Sequence, residues 1–216
     1  SPYIMGRSRP CLGTTVRFSQ FQQCNPLLFF LTSLSIPIGA GKTSTINILT
    51  GFMTATGGTA IVAGKDIHTS MQRIREDMGI CLQHDCIFPS LTVREHLQLF
   101  CRIKGMYGRM SHEEAEGKVS QSLKDVALDD KSNSLAKTLS GGMKRKLNVA
   151  MAFCGESKVV ILDEPTSGMD PFSRRFTWNV IRKYRQNRTI ILTTHQMDEA
   201  DVLGDKIAIM ARGQLR

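Results

Sequence analysis

The stretch from residue 139 to residue 170 restricts the fold of this chain more than any other. Val159-Val160-Ile161-Leu162 is an unbroken apolar run with three β-branched members, the pattern of a strand buried on both faces of a parallel sheet. Asp163 and Glu164 follow at once. Two carboxylates therefore stand at the carboxyl end of that strand, the edge where open α/β sheets bind ligands. Upstream, Leu139-Ser140-Gly141-Gly142 precedes an apolar-periodic segment. Ser140, Gly141 and Gly142 thus fall at a predicted helix N-terminus, where free amides, a hydroxyl and the helix dipole can meet a phosphate. Asp163 suits a metal-holding role, and Glu164 is offset to meet a water beside a terminal phosphate.

A second phosphate signal lies earlier. In Gly39-Ala40-Gly41-Lys42-Thr43-Ser44, Gly-rich amides can wrap phosphates, Lys42 can reach the β/γ oxygens, and the Thr43 hydroxyl can meet Mg²⁺. Ile46, Ile48 and Leu49 continue a helix whose N-terminus faces those phosphates. The full spacing needs Gly at 36, but Ile36 stands there, followed by Pro37 and Ile38. Pro37 removes a backbone donor. Each lost bond to a charged phosphate weakens binding by about 1.5–3 kcal/mol, so one or two losses move a micromolar affinity toward millimolar.

The strings LSGGMKRKL and VVILDEPTSGMD resemble the signature motif, Walker B and D-loop of the ABC (ATP-binding cassette) ATPases. Their wording is most similar to the A subfamily of ABC transporters, which are lipid exporters. The resemblance covers about residues 39–216. It implies a RecA-like P-loop NTPase core, ATP as ligand with Mg²⁺, and hydrolysis. By the same resemblance Gln83 is the Q-loop glutamine near Mg²⁺ and the attacking water, and His195 is the switch histidine at the γ-phosphate. Thr43, Gln83 and Asp163 would attend the metal, and Asp170 lies in the D-loop. Ser140 to Gly142 would serve the ATP of a second nucleotide-binding domain packed head-to-tail. Transmembrane domains outside this chain would handle the lipid, which places the cassette on the cytoplasmic face of a membrane. The family's adenine-stacking aromatic is not identifiable; Phe18 and Phe21 are the candidates.

The fold class expected is α/β, a parallel sheet flanked by helices with an inserted helical subdomain. Strands are expected at 16–18, 27–31, 59–63, 78–82, 159–162, 189–194 and 207–210, and a short helix over 67–74. Thr92 reads as an N-cap, and Ser111 with Glu114 as a capping box. Met143, Leu147, Ala150, Met151 and Cys154 form the core stripe of the signature helix. Asp170-Pro171 starts another helix, in which Trp178 reads as packing. Glu199 and Asp201 are expected to be solvated. Residues 38–84 and 154–216 are read as the ATP-binding core and 85–153 as the helical subdomain. Residues 1–37 are an atypical segment. The run 27–37 is rich in residues with pyrimidine-rich codons, so a translated intron end is one explanation, which transcript sequencing across the junction tests.

At 216 residues the chain has the length of one domain with a real core. Both ends read as cuts. No apolar run reaches the length of a membrane span. A net charge of +9 suits polyphosphate or an anionic membrane face. Arg182, Lys183, Arg185 and Arg188 are read as one solvated helix edge, and no nucleic-acid partner is expected. The six cysteines show no C-x-x-C pair and no zinc spacing with histidine. Cys81 and Cys154 read as core. Two alternatives stay open: a degenerate cassette with weak or no hydrolysis, favoured by Ile36 and Pro37, and a soluble ABC protein acting on ribosomes or DNA, favoured by net charge.

Overall fold

The computed structural model describes residues 28–32, 41–211 and 214–215, with side chains over 41–210. Residues 16–18, Phe18, Phe21, Ile36, Pro37, Gly39 and Ala40 therefore lie outside the described residues.

The apolar runs form one sheet. Leu28–Thr32 (β1), Met78–Cys81 (β4), Val159–Asp163 (β5), Thr189–Thr194 (β6) and Lys206–Ala211 (β7) are parallel, and Gln214–Leu215 (β8) closes the edge antiparallel. The order is β4-β5-β6-β1-β7-β8. Side-chain alternation splits β5 between two cores. Val159 and Ile161 pack with Ile46 and Leu49 of Lys42–Thr50 (α1), and with Ile74 of Met71–Glu76 (α2). Val160 and Leu162 pack on the other face with Val149, Ala152 and Phe153 of Gly141–Phe153 (α6). Ile181 of Pro171–Tyr184 (α7) and Ala200 of Met197–Leu203 (α8) complete that face. Ile161 and Leu162 are wholly buried, each contributing about 1.5–3 kcal/mol.

A third core is helical. Val93, Leu97 and Cys101 of Val93–Ile103 (α3) and Met106 of Met106–Arg109 (α4) meet Val119 and Leu123 of His112–Asp125 (α5). Leu147, Ala150, Met151 and Cys154 supply the α6 side, with Met143 partly buried against it. The cap signals form as the residue types dictate: Ser111 and Glu114 make a reciprocal capping box, and so do Thr92 and Glu95. α6 belongs to both the helical core and the sheet core.

Three expectations are corrected. The strand at 59–63 is only Ile61–Val62 (β2), because Ala63 (φ 49°) and Gly64 (φ 76°) turn it into a hairpin with Lys65–Asp66 (β3); two consecutive positive φ values are what a tight hairpin turn requires. The helix expected over 67–74 begins only at Met71, since the Asp66 carboxylate accepts the His68 N–H at 2.7 Å and holds the preceding residues in a turn. The basic residues do not form one solvated helix edge: Arg182 and Lys183 are exposed on α7, but Arg185 and Arg188 lie beyond its end at Tyr184 and are half-buried. Lys183 pairs with Asp125 at 2.8 Å, Arg185 with Asp205 at 3.2 Å, and half-buried Arg188 lies over the Phe153 and Tyr184 rings.

Candidate active site

Parallel register brings the carboxyl ends of neighbouring strands level. Asp163 pairs with Thr193, and Cys81 pairs with Leu162. Gln83, two residues beyond Cys81, therefore leaves the sheet at the level of Glu164, and His195 follows β6 on the other side. α1 starts near the same edge. Its N-cap Gly41 has φ 93°, a left-handed conformation that glycine adopts without steric cost, and no side chain caps it. Among the described residues, no side chain caps the first-turn amides of α1, as an anion site requires.

The side chains converge at these tips. Lys42 Nζ lies 3.5 Å from Glu164 Oε1, and His195 Nδ1 lies 3.3 Å from the same oxygen. Asp163 is buried and accepts a short hydrogen bond from the Thr193 hydroxyl. Glu164 itself has φ 48°, a left-handed conformation that costs a non-glycine residue about 1–3 kcal/mol. Its N–H donates to the Thr193 carbonyl at 3.0 Å and the Thr193 hydroxyl at 3.2 Å, which holds that conformation. Thr43 and Ser44 are exposed in the first turn of α1, and Gln83 is exposed beyond β4.

Ser140 to Gly142 stand apart. The Ser140 hydroxyl accepts the Met143 N–H at 3.3 Å, capping α6. No hydrogen bond or ion pair among the described residues joins 140–142 to the Lys42–Glu164–His195 cluster. Among the described residues, a Cβ added to Gly141 or Gly142 would meet nothing within 4 Å, so packing among them does not require glycine at either position. Asp170 caps α7, its carboxylate accepting Phe172 and Ser173 N–H at 3.0 Å each. The Ser173 bonds hold its pKa below the ordinary carboxylate value.

Two residues escaped the sequence reading. Arg145, 4 % exposed, donates to the carbonyls of Leu82, Gln83, Asp163, Glu164 and Pro165. In the sequence it stands between Lys144 and Lys146, and only its place on the sheet-facing side of α6 separates it from them. Glu199 was expected to be solvated, but it is 1 % exposed. Its Oε1 accepts from the Thr166 hydroxyl and the Trp178 indole N–H at 3.0 Å each, while Oε2 meets no hydrogen-bond partner within bonding distance among the described residues. Burial pushes its pKa up, against those hydrogen bonds. A Glu at a helix start gives no sequence sign that a Trp will cover it.

Comparison with known proteins follows the same lines. The sequence model of the family described as ABC transporter matches residues 37–167. The human retinal-specific phospholipid-transporting ATPase ABCA4 is 54% identical over 177 residues, 82% of this chain and 8% of that protein. Rat ATP-binding cassette sub-family A member 2 is 51% identical over 178 residues, 82% of this chain and 7% of that protein. The mouse glucosylceramide transporter ABCA12 is 51% identical over 188 residues, 86% of this chain and 7% of that protein. Among solved structures, an ATP-binding subunit of an ABC transporter superposes with TM-score 0.77 at 26% identity, over 88% of this chain and 77% of that one. A dimeric cassette described in a post-hydrolysis state with ADP and Pi superposes with TM-score 0.79 at 23% identity, over 89% of this chain and 84% of that one; at that identity the likeness concerns the fold.

Proposed function

This chain belongs to the ABC transporter family as an ATP-binding cassette most similar to the A subfamily, and from that premise we propose that it hydrolyses ATP to drive lipid transport by a membrane protein of which it forms part. The observation that carries the proposal is that Lys42 Nζ and His195 Nδ1 lie 3.5 Å and 3.3 Å from the same Glu164 Oε1 at the strand tips.

In this reading ATP exchanges the Lys42–Glu164 contact for contacts of its own. The ammonium moves to the β/γ-phosphate oxygens, and the α1 amides close on the phosphates. Freed from Lys42, Glu164 Oε1 faces the attacking water. Water oxygen bonds to the γ-phosphorus, the bridging bond to the β-phosphate breaks, and Glu164 orients the water or takes its proton. ADP and inorganic phosphate result. His195, on the same carboxylate oxygen, contacts the γ-phosphoryl group. Thr43, Gln83 and Asp163 offer hydroxyl, amide and carboxylate oxygens, a donor set that fits Mg²⁺. That ion would neutralise charge developing on the phosphates.

Ser140, Gly141 and Gly142 serve the ATP of a second cassette packed head-to-tail. Open space at both glycines, beside an exposed Ser140, supports close approach of an external phosphate. Relatives of the chain include phospholipid and glucosylceramide transporters, which supports lipid as cargo, membrane-spanning domains as partners, and a place at the cytoplasmic membrane face. In the test, Lys42→Ala is assayed for ATP binding in the complete protein. Loss of one charged contact, about 1.5–3 kcal/mol, predicts affinity about 10- to 100-fold weaker. Unchanged affinity would remove Lys42 from the phosphate site. A second reading, a weakly binding regulatory cassette, is favoured by Ile36 and Pro37. Large recovery of ATP affinity in Ile36→Gly supports it, and strong binding without that change excludes it.

A further inference from the structure

Arg145 has no part in the chemistry above, yet its guanidinium sits where the signature helix, the Gln83 segment and the end of β5 converge. All its donors go to main-chain carbonyls. Nε reaches Pro165 at 3.1 Å; Nη1 reaches Leu82 at 2.5 Å and Gln83 at 3.2 Å; Nη2 reaches Asp163 at 2.5 Å and Glu164 at 2.7 Å. A guanidinium carries five N–H groups in a rigid fork, so its donor capacity is fully used. Asp85 meets the charge, 3.6 Å from Nη1, and is itself held by Asn148 Nδ2 at 2.6 Å. A charge this buried is stable only when so completely partnered.

We propose that Arg145 is a positioning residue for hydrolysis, which fixes the main chain of Glu164 and Gln83 and ties both to the helix that Ser140 caps. The proposal rests on the reading of Glu164 as the hydrolytic base. Glu164 sits in a left-handed conformation at φ 48°, so its carboxylate keeps its aim only while the surrounding bonds hold. Thr193 holds its N–H side and Arg145 its carbonyl side. Arg145 is five residues along α6 from Ser140, about 7–8 Å of helix. A rigid helix over that length transmits displacement of its N-terminus to the Arg145 fork. Engagement of Ser140 by a second cassette therefore bears on the geometry of this chain's own base.

Lysine keeps the charge but lacks the planar fork. The test compares the unmodified complete protein with Arg145→Lys and Arg145→Gln, measuring kcat, equilibrium ATP affinity and thermal midpoint. Misplacing the base by about 1 Å predicts a kcat loss of about 10- to 100-fold. ATP affinity measured without Mg²⁺ should stay within about twofold, because Arg145 holds the Gln83 and Asp163 segments assigned to the metal and, among the described residues, makes no bond to α1, which carries Lys42 and Thr43. That split supports positioning. A kcat unchanged in both variants, or kcat and affinity falling together with the folded fraction, overturns it. If neither variant folds, Asp85→Asn serves, since exposed Asp85 pairs with Arg145 and Asn148. A kcat loss of about two- to fivefold at unchanged affinity, the scale of an exposed ion pair, supports the proposal, and no loss overturns it. No ATP turnover in the unmodified protein would sink the hydrolytic reading and this one with it. Normal turnover there with unchanged variants sinks the role of Arg145 alone.

Discussion

Gly79 and Gly117 are both glycines inside regular elements, and the structure predicts opposite signs for the same substitution. Gly79 lies in β4 against α6. A Cβ there would stand 1.8 Å from the Ala152 carbonyl oxygen, where real contacts essentially never fall below 3.0 Å. Backbone cannot swing aside like a side chain, so α6 must retreat by at least 3.0 − 1.8 = 1.2 Å. Overpacking of this kind costs about 1–3 kcal/mol. A gap of that width also forfeits about half or more of the dispersion attraction along the face, which here includes Val149, Ala152 and Phe153. The sum for Gly79→Ala is about 3 kcal/mol or more, or roughly 6–12 °C in Tm at this chain length. Gly117 is exposed within α5, and a Cβ there would meet nothing within 4 Å. Gly117→Ala should therefore stabilise by about 0.5–1 kcal/mol through helix propensity. Urea denaturation of both variants measures the contrast. Equal effects of the two substitutions, or a Gly79→Ala cost below about 1 kcal/mol, would refute the reasoning.

Glu199→Ala leaves the Thr166 hydroxyl and the Trp178 N–H unpaired in the interior, so urea denaturation should show a loss of about 2–4 kcal/mol. Glu199→Gln keeps an acceptor for both and discards the buried charge. Because burial raises the folded-state pKa above the ordinary 4.5, the wild type is fully stable in this respect below that value and loses stability as pH rises through the raised one. Relative to wild type, Glu199→Gln should therefore gain stability as pH rises from 4.5 through the raised pKa, and a flat difference across the titration would contradict the assignment.

Much of this fold is legible because single residues settle it. Val159 to Leu162 can hardly be anything but a central strand, and the caps at Thr92, Ser111, Ser140 and Asp170 form as their side chains dictate. What escapes is set by partners distant in sequence. Nothing near Glu199 announces that Thr166 and Trp178 close over it. Arg145 looks like its neighbours Lys144 and Lys146 until β4 and β5 bring five carbonyls beneath it. Gly79 reads as an ordinary strand residue, although a glycine inside a strand pattern is also a sign of close backbone approach. The turn before α2 depends on Asp66 accepting the His68 N–H, a local contact that apolar periodicity ignores. The site follows the same division. Lys42, Glu164 and His195, legible from motif position, meet in space, and Asp163 ends the strand beside them, bonded to Thr193, while the contacts that hold Glu164 in its left-handed conformation come from Thr193 and Arg145, distant in sequence.

The central claim is that one pocket, gathered at the strand tips around Glu164, both holds and hydrolyses ATP. Its most direct test is single-turnover hydrolysis in the complete protein carrying Glu164→Gln, with bound nucleotide identified. A general base contributes about 10²–10⁴ in rate, so the account predicts ATP retained intact and turnover lower by at least about 100-fold. Undiminished conversion of bound ATP to ADP and phosphate would contradict it.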